Sequence, residues 1–182
     1  MNSTQIGYLF KELIMKLFKK SHLAMAAVSL GSLLVASTAS ADYHVTAFGE
    51  STAYRSLLSK DAESAKEALG SKDLAKMDFI AANNLCVAQI LAKELSLAIE
   101  SCSLALEKVE KDMMLGMSAE KSAKASIYSN LAVARAMSGD MLGASSDLEK
   151  ALEFNSSDRN ASLNYNLISA SMAMPAEIAG IQ

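Results

Sequence analysis

The run NLAVARAMSGDMLGASSDLEKALE, Asn130 to Glu153, decides the fold. Apolar or small residues recur every three to four positions on either side of Gly139-Asp140, a period that belongs to an amphipathic helix. The glycine and aspartate between them are turn residues. The stretch therefore reads as two antiparallel helices joined by a tight turn. Ala132 and Ala144 are small enough to let the helix axes approach closely.

Working outward, the same pattern returns. Asp73 to Ala92 carries Leu74, Met77, Ile80, Leu85, Ala88 and Leu91 at helical spacing, and Leu95 to Val109 carries Ala98, Ile99, Cys102, Ala105 and Leu106. Lys93-Glu94 stands where Gly139-Asp140 stands in the first run. A fainter copy ends at Asp61 to Leu69. Ala65 to Ala98 spans 33 residues and Ala98 to Ala144 spans 46, one repeat plus an insertion of about 12 residues around 110–120. The pair Asn-Leu marks the first helix of each unit, as Asn84-Leu85, Asn130-Leu131 and Asn166-Leu167. No strand-like alternation bounded by turn signals interrupts the pattern. The spacing predicts seven helices, over 46–58, 61–69, 73–92, 95–115, 119–138, 141–154 and 157–174. Ser71 and Ser118 are expected to cap helix starts.

Composition narrows the class. The 182 residues are 51% hydrophobic, with one proline, eight glycines and no tryptophan, which excludes a disordered or collagenous chain. Net charge is −3, against the basic excess expected of a nucleic-acid binder. Residues 1–41 read as an export signal. Lys16, Lys19 and Lys20 precede the uncharged run Leu23 to Ala36, and Ala39-Ser40-Ala41 forms a small-residue cleavage site. Met15 opens a conventional leader by itself. Cleavage after Ala41 predicts a periplasmic or secreted chain of residues 42–182 with net charge −6 and no membrane attachment thereafter. Pro175 ends the last helix, leaving 175–182 as a flexible tail.

These features resemble the tetratricopeptide repeat family. Leu131, Ala132, Gly139-Asp140, Ala144, Leu148, Ala151 and Leu152 match its motif, and Leu85, Cys86, Ala98, Cys102, Ala105 and Leu106 match it again. The family's closing proline is replaced by Ser156 and Glu110. The resemblance implies an all-α domain of antiparallel helix pairs over 42–174, wound into a right-handed superhelix whose first helices line a concave groove. It places Asn84, Asn130 and Asn166 in that groove, where an amide can meet both the N–H and the C=O of an extended peptide. Val87, Val133, Met137 and Tyr165 are carried over as neighbouring groove residues. None of these is basic, so the groove is expected to be neutral.

Other chemistry is sparse. No phosphate loop, metal-ligand cluster or nucleophile–base set is present, so the sequence points to no enzyme, cofactor or metal. Cys86 and Cys102 lie equally far from the turn at Glu94. They read either as two small buried hydrophobes or as a disulfide stapling one repeat, the obstacle being a usual interaxial distance of about 8–10 Å. Met113, Met114 and Met117 cluster in the insertion. The expected partner is a protein or peptide, with a homodimer through end helices as the alternative.

Overall fold

The structure, a computed structural model, describes residues 42–70 and 74–173. The leader and the C-terminal tail of the sequence reading lie outside these residues. Among the described residues there are seven α-helices and no strand: α1 Tyr54–Leu58, α2 Ala62–Leu69, α3 Phe79–Leu91, α4 Leu95–Lys111, α5 Met117–Met137, α6 Met141–Phe154 and α7 Arg159–Ala173. A 3-10 turn, Leu74–Lys76, precedes α3. No helix among the described residues is long and apolar enough to cross a membrane.

Three hairpins, α1–α2, α3–α4 and α5–α6, are followed by α7. Each first helix packs on its own partner and also on the next first helix, α1 on α3, α3 on α5 and α5 on α7. The hairpins share one turn. In α1–α2, the Lys60 N–H donates to the Leu57 carbonyl at 3.1 Å and the Asp61 N–H to Ser56 at 2.9 Å. In α3–α4, Lys93 donates to Ile90 at 3.0 Å and Glu94 to Gln89 at 2.9 Å. In α5–α6, Gly139 donates to Ala136 at 3.0 Å and Asp140 to Arg135 at 2.9 Å. This bond pair is a Schellman closure, which puts its central residue in the left-handed region. Gly139 accepts that at φ 94°, whereas Lys60 and Lys93 are held there at φ 57° and 61°. Residues 60, 93 and 139 carry the same spacing as Ala65, Ala98 and Ala144, so the repeat found in the sequence is a repeat of backbone geometry.

The starts of α2, α3, α6 and α7 are capped by aspartates rather than by the serines expected. Asp61, Asp78 and Asp140 accept from the N–H of Ser64, Ala81 and Gly143 at 3.1, 2.7 and 2.9 Å. Asp158 accepts from Ala161 at 2.9 Å. A carboxylate there satisfies an orphan amide and faces the positive end of the helix. Ser118 instead falls inside the first turn of α5, whose N-cap is Gly116; Ser71 lies outside the described residues. Asp140 also explains Gly143, since a Cβ there would lie 2.1 Å from the Asp140 carboxylate.

The hairpins are packed through small residues. Ala82, Ala98, Ala105, Ala132, Ala144 and Ala151 are all fully buried. In the second hairpin this brings the Cα atoms of Cys86 and Cys102 to 5.2 Å, and the two are joined as a disulfide. The interaxial distance that argued against the bond is an average over contacts; it contracts where alanines face each other.

The largest departure from the sequence reading is at 46–58. A helix was expected to begin at Thr46, but it begins at Tyr54, and Asp42–Phe48 is extended with no helical hydrogen bonds. The helix expected from Asp73 starts at Phe79 under the Asp78 cap, and the one expected to reach Leu115 ends at Lys111.

Candidate functional site: an asparagine ladder on an extended segment

The first helices carry a row of buried amides. Asn84 on α3, Asn130 on α5 and Asn164 on α7 are each inaccessible to solvent. Each grips one residue of the extended segment Asp42–Phe48 by both backbone groups. Asn164 Oδ1 accepts the His44 N–H at 2.9 Å, and its Nδ2 donates to the His44 carbonyl at 2.7 Å. Asn130 does the same to Thr46, at 2.8 Å in both directions. Asn84 does the same to Phe48, again at 2.8 Å each way. The residues held alternate, because in an extended chain every second residue presents its backbone to one side. The segment runs against the repeat order and leaves the groove beside the first hairpin, where Gly49 and Glu50 turn it toward α1.

The ladder is braced from behind. The residue before each asparagine receives the spare amide hydrogen of the next: Asn130 Nδ2 donates to Asn83 Oδ1 at 2.8 Å, and Asn164 Nδ2 to Ser129 Oγ at 3.1 Å. Asn83 Nδ2 in turn donates to the Thr46 carbonyl at 3.0 Å. Asn160 Nδ2 holds the Thr46 hydroxyl at 2.9 Å. Ser126 on α5 donates to the Asp158 cap of α7 at 3.2 Å, tying the second and third rungs together. A buried polar row of this kind is stable only when every member is satisfied, and here the segment's backbone completes it.

The structure moves one predicted rung. Asn166 is exposed on α7, and Asn164, two residues earlier, takes the place expected of it. The dipeptide Asn166-Leu167 is a decoy for the earlier Asn-Leu pairs. A better signal was present: Asn84 and Asn164 each stand six residues after the capping aspartate of their helix, Asp78 and Asp158. The extra N-terminal length of α5 hides that spacing at Asn130.

The apolar groove residues divide. Val87 is buried in the cluster that joins α1, α2 and α3, against which Val45 and Ala47 of the segment pack. Val133 and Met137 line a cavity of about 460 Å³ along one flank of the segment, together with Leu57, Leu91, Tyr43 and Val45. Tyr165 is half-buried against the Ala132–Leu148–Ile168 cluster. Tyr43 packs against two of the core clusters, and loss of water pushes its hydroxyl above the usual tyrosine range. Phe48 meets Phe79 edge to face, ring centroids 5.9 Å apart, beside a second cavity of about 350 Å³. Lys60 and Lys93, which the sequence reading left out of the groove, sit on the flank of the first cavity. Each follows a helix C-terminus, where a cation complements the exposed carbonyls.

A separate charged site lies behind the groove. Asp147 on α6 is buried and bonds Arg135 Nη1 at 2.7 Å, with Lys150 at 3.8 Å. Burial raises its carboxyl above the usual range, and the Arg135 charge opposes the shift.

No family model, no curated protein and no solved structure matches this chain.

Proposed function

We propose that the chain is an exported protein–protein interaction module of tetratricopeptide type, an adaptor that holds an extended peptide segment in its groove by the backbone. One observation carries this reading: three asparagines on successive first helices each both donate to and accept from alternate residues of an extended segment. Such an arrangement recognises main chain and leaves the choice of partner to the side chains between the rungs. Export rests on the uncharged run Leu23–Ala36 and the Ala39-Ser40-Ala41 site.

The test uses the full chain with His44→Pro and Thr46→Pro, which removes two of the N–H donors that anchor the resident segment. A synthetic peptide of residues 42–50 should bind this variant in calorimetry. Adding Asn84→Ala, Asn130→Ala and Asn164→Ala should abolish the binding. A folded proline variant that takes up no peptide refutes the reading.

Self-association is the second reading, and it has its own observation. Met113, Met114 and Met117, close together in the α4–α5 insertion, are 96, 95 and 73% exposed. Clustered exposed apolar side chains favour a partner. Sedimentation velocity across a concentration series tests it, a single monomeric species at every concentration being the contrary result.

A further inference from the structure

The resident segment does not fill the groove. A cavity of about 460 Å³ runs beside Tyr43 and Val45, and another of about 350 Å³ opens beside Phe48 and Gly49. Every residue of Asp42–Phe48 keeps part of its surface in water, although the amides that hold it are fully buried. The six ladder bonds go to backbone atoms alone, so any extended chain can make them. Once the leader proposed above is removed after Ala41, the segment is tethered only through the exposed pair Gly49-Glu50, about which it swings out of the groove. Ordering seven residues also offsets much of what the hydrogen bonds return.

We infer that Asp42–Phe48 is a tethered, displaceable occupant that gates the groove, and that the partner which displaces it is an extended peptide with larger apolar side chains at the positions Val45 and Gly49 occupy. This rests on the groove reading above and names its ligand. The chemistry follows from the two cavities. The lining of the first is mixed, with Lys60, Lys93 and Asn160 beside the apolar Leu57, Leu91, Val133 and Met137, so an aromatic ring in place of the Val45 side chain finds apolar surface to bury within it. The second is lined by Ile80, Leu115, Ala119 and Ala123. In the tethered chain, a side chain at Gly49 would already meet the Tyr54 ring at 3.8 Å. That distance is ordinary van der Waals contact, so a side chain at this position meets Tyr54 of α1 without a clash. A competing peptide thus keeps all six bonds and adds apolar contact, which the resident segment cannot match.

The test compares two peptides, residues 42–50 and the same sequence with Val45→Phe and Gly49→Leu, against the wild-type chain and the His44→Pro, Thr46→Pro variant. A tether raises the local concentration of the occupant to the millimolar range. Both peptides should therefore bind the proline variant about a hundredfold tighter than the wild type. On either protein the enlarged peptide should bind at least tenfold tighter than the resident sequence. Equal affinity for wild type and variant overturns the gate while leaving the groove reading intact; no binding to the folded variant removes the groove reading itself. An enlarged peptide no tighter than the resident one overturns the assignment of the cavities. Hydrogen exchange on the wild type keeps the gate testable if the proline variant does not fold. The His44, Thr46 and Phe48 amides should be protected in the free protein and lose protection as the enlarged peptide saturates it. Retained protection at saturation overturns the proposal.

Discussion

Replacing Asn130 with alanine should separate the ladder from ordinary packing. The amide makes three bonds: it accepts from the Thr46 N–H, donates to the Thr46 carbonyl and donates to Asn83 Oδ1, all at 2.8 Å. After truncation the Thr46 carbonyl keeps the Asn83 donor at 3.0 Å. The Thr46 N–H and Asn83 Oδ1 do not keep partners. Each polar group left unpaired costs about 1–3 kcal/mol, so about 2–6 kcal/mol is at stake if nothing moves. The segment, however, is free to let go locally and give its amides to water, which sets the observed loss near the lower end, about 2–3 kcal/mol by urea denaturation. Exchange of the Thr46 amide should accelerate in parallel. Asn130→Ala combined with Asn164→Ala should cost less than the sum of the two, because a segment already released cannot be released again. Asn166→Ala is the control; its side chain is exposed, and the change should stay within about 0.5 kcal/mol. Equal losses for Asn130→Ala and Asn166→Ala, or a Thr46 amide that exchanges freely in the wild type, would refute the reasoning.

Other expectations follow from the scaffold. Reducing the Cys86–Cys102 bond, which joins residues 16 apart, should lower stability by about 2–4 kcal/mol, read as a melting shift with and without reductant. Lys93→Gly should stabilise the fold by about 1 kcal/mol, because the backbone there sits at φ 61° where a Cβ is strained; a loss in the urea midpoint would contradict this. Asp147 has a folded-state pKa above its unfolded value, so the folded form binds its proton more tightly and the ionised carboxylate disfavours folding as pH rises through the folded pKa. Asp147→Asn should therefore be no less stable than wild type at pH 7, with any advantage vanishing as pH falls below the unfolded value of about 3.9; urea midpoints at the two ends decide it. Ala144→Leu should cost about 1–3 kcal/mol by overpacking a residue with no exposed surface, and an unchanged midpoint would place the α5–α6 contact elsewhere.

Local signals settle much of this chain. The helical period, the Gly139-Asp140 turn and the alanines at fixed offsets determine an all-α protein of paired helices, since each is a relation between residues a few positions apart on one backbone. The same locality located Asn84 and Asn130. It failed at Asn166, because a repeated dipeptide says nothing about which face of α7 turns toward the groove; that is set by where Asp158 starts the helix and by Ser126, which ties that cap to α5. It failed again at Thr46, where a short stretch beside a helix reads as its continuation. The backbone groups of His44, Thr46 and Phe48 find their partners 120, 84 and 36 residues away, on three different helices. Pairings at that range exist only once the hairpins have stacked, because stacking is what brings the three amides into line. The disulfide was likewise undecided in the sequence: equal distance from a turn places two cysteines opposite each other, but only the alanine packing between α3 and α4 brings their Cα atoms to 5.2 Å.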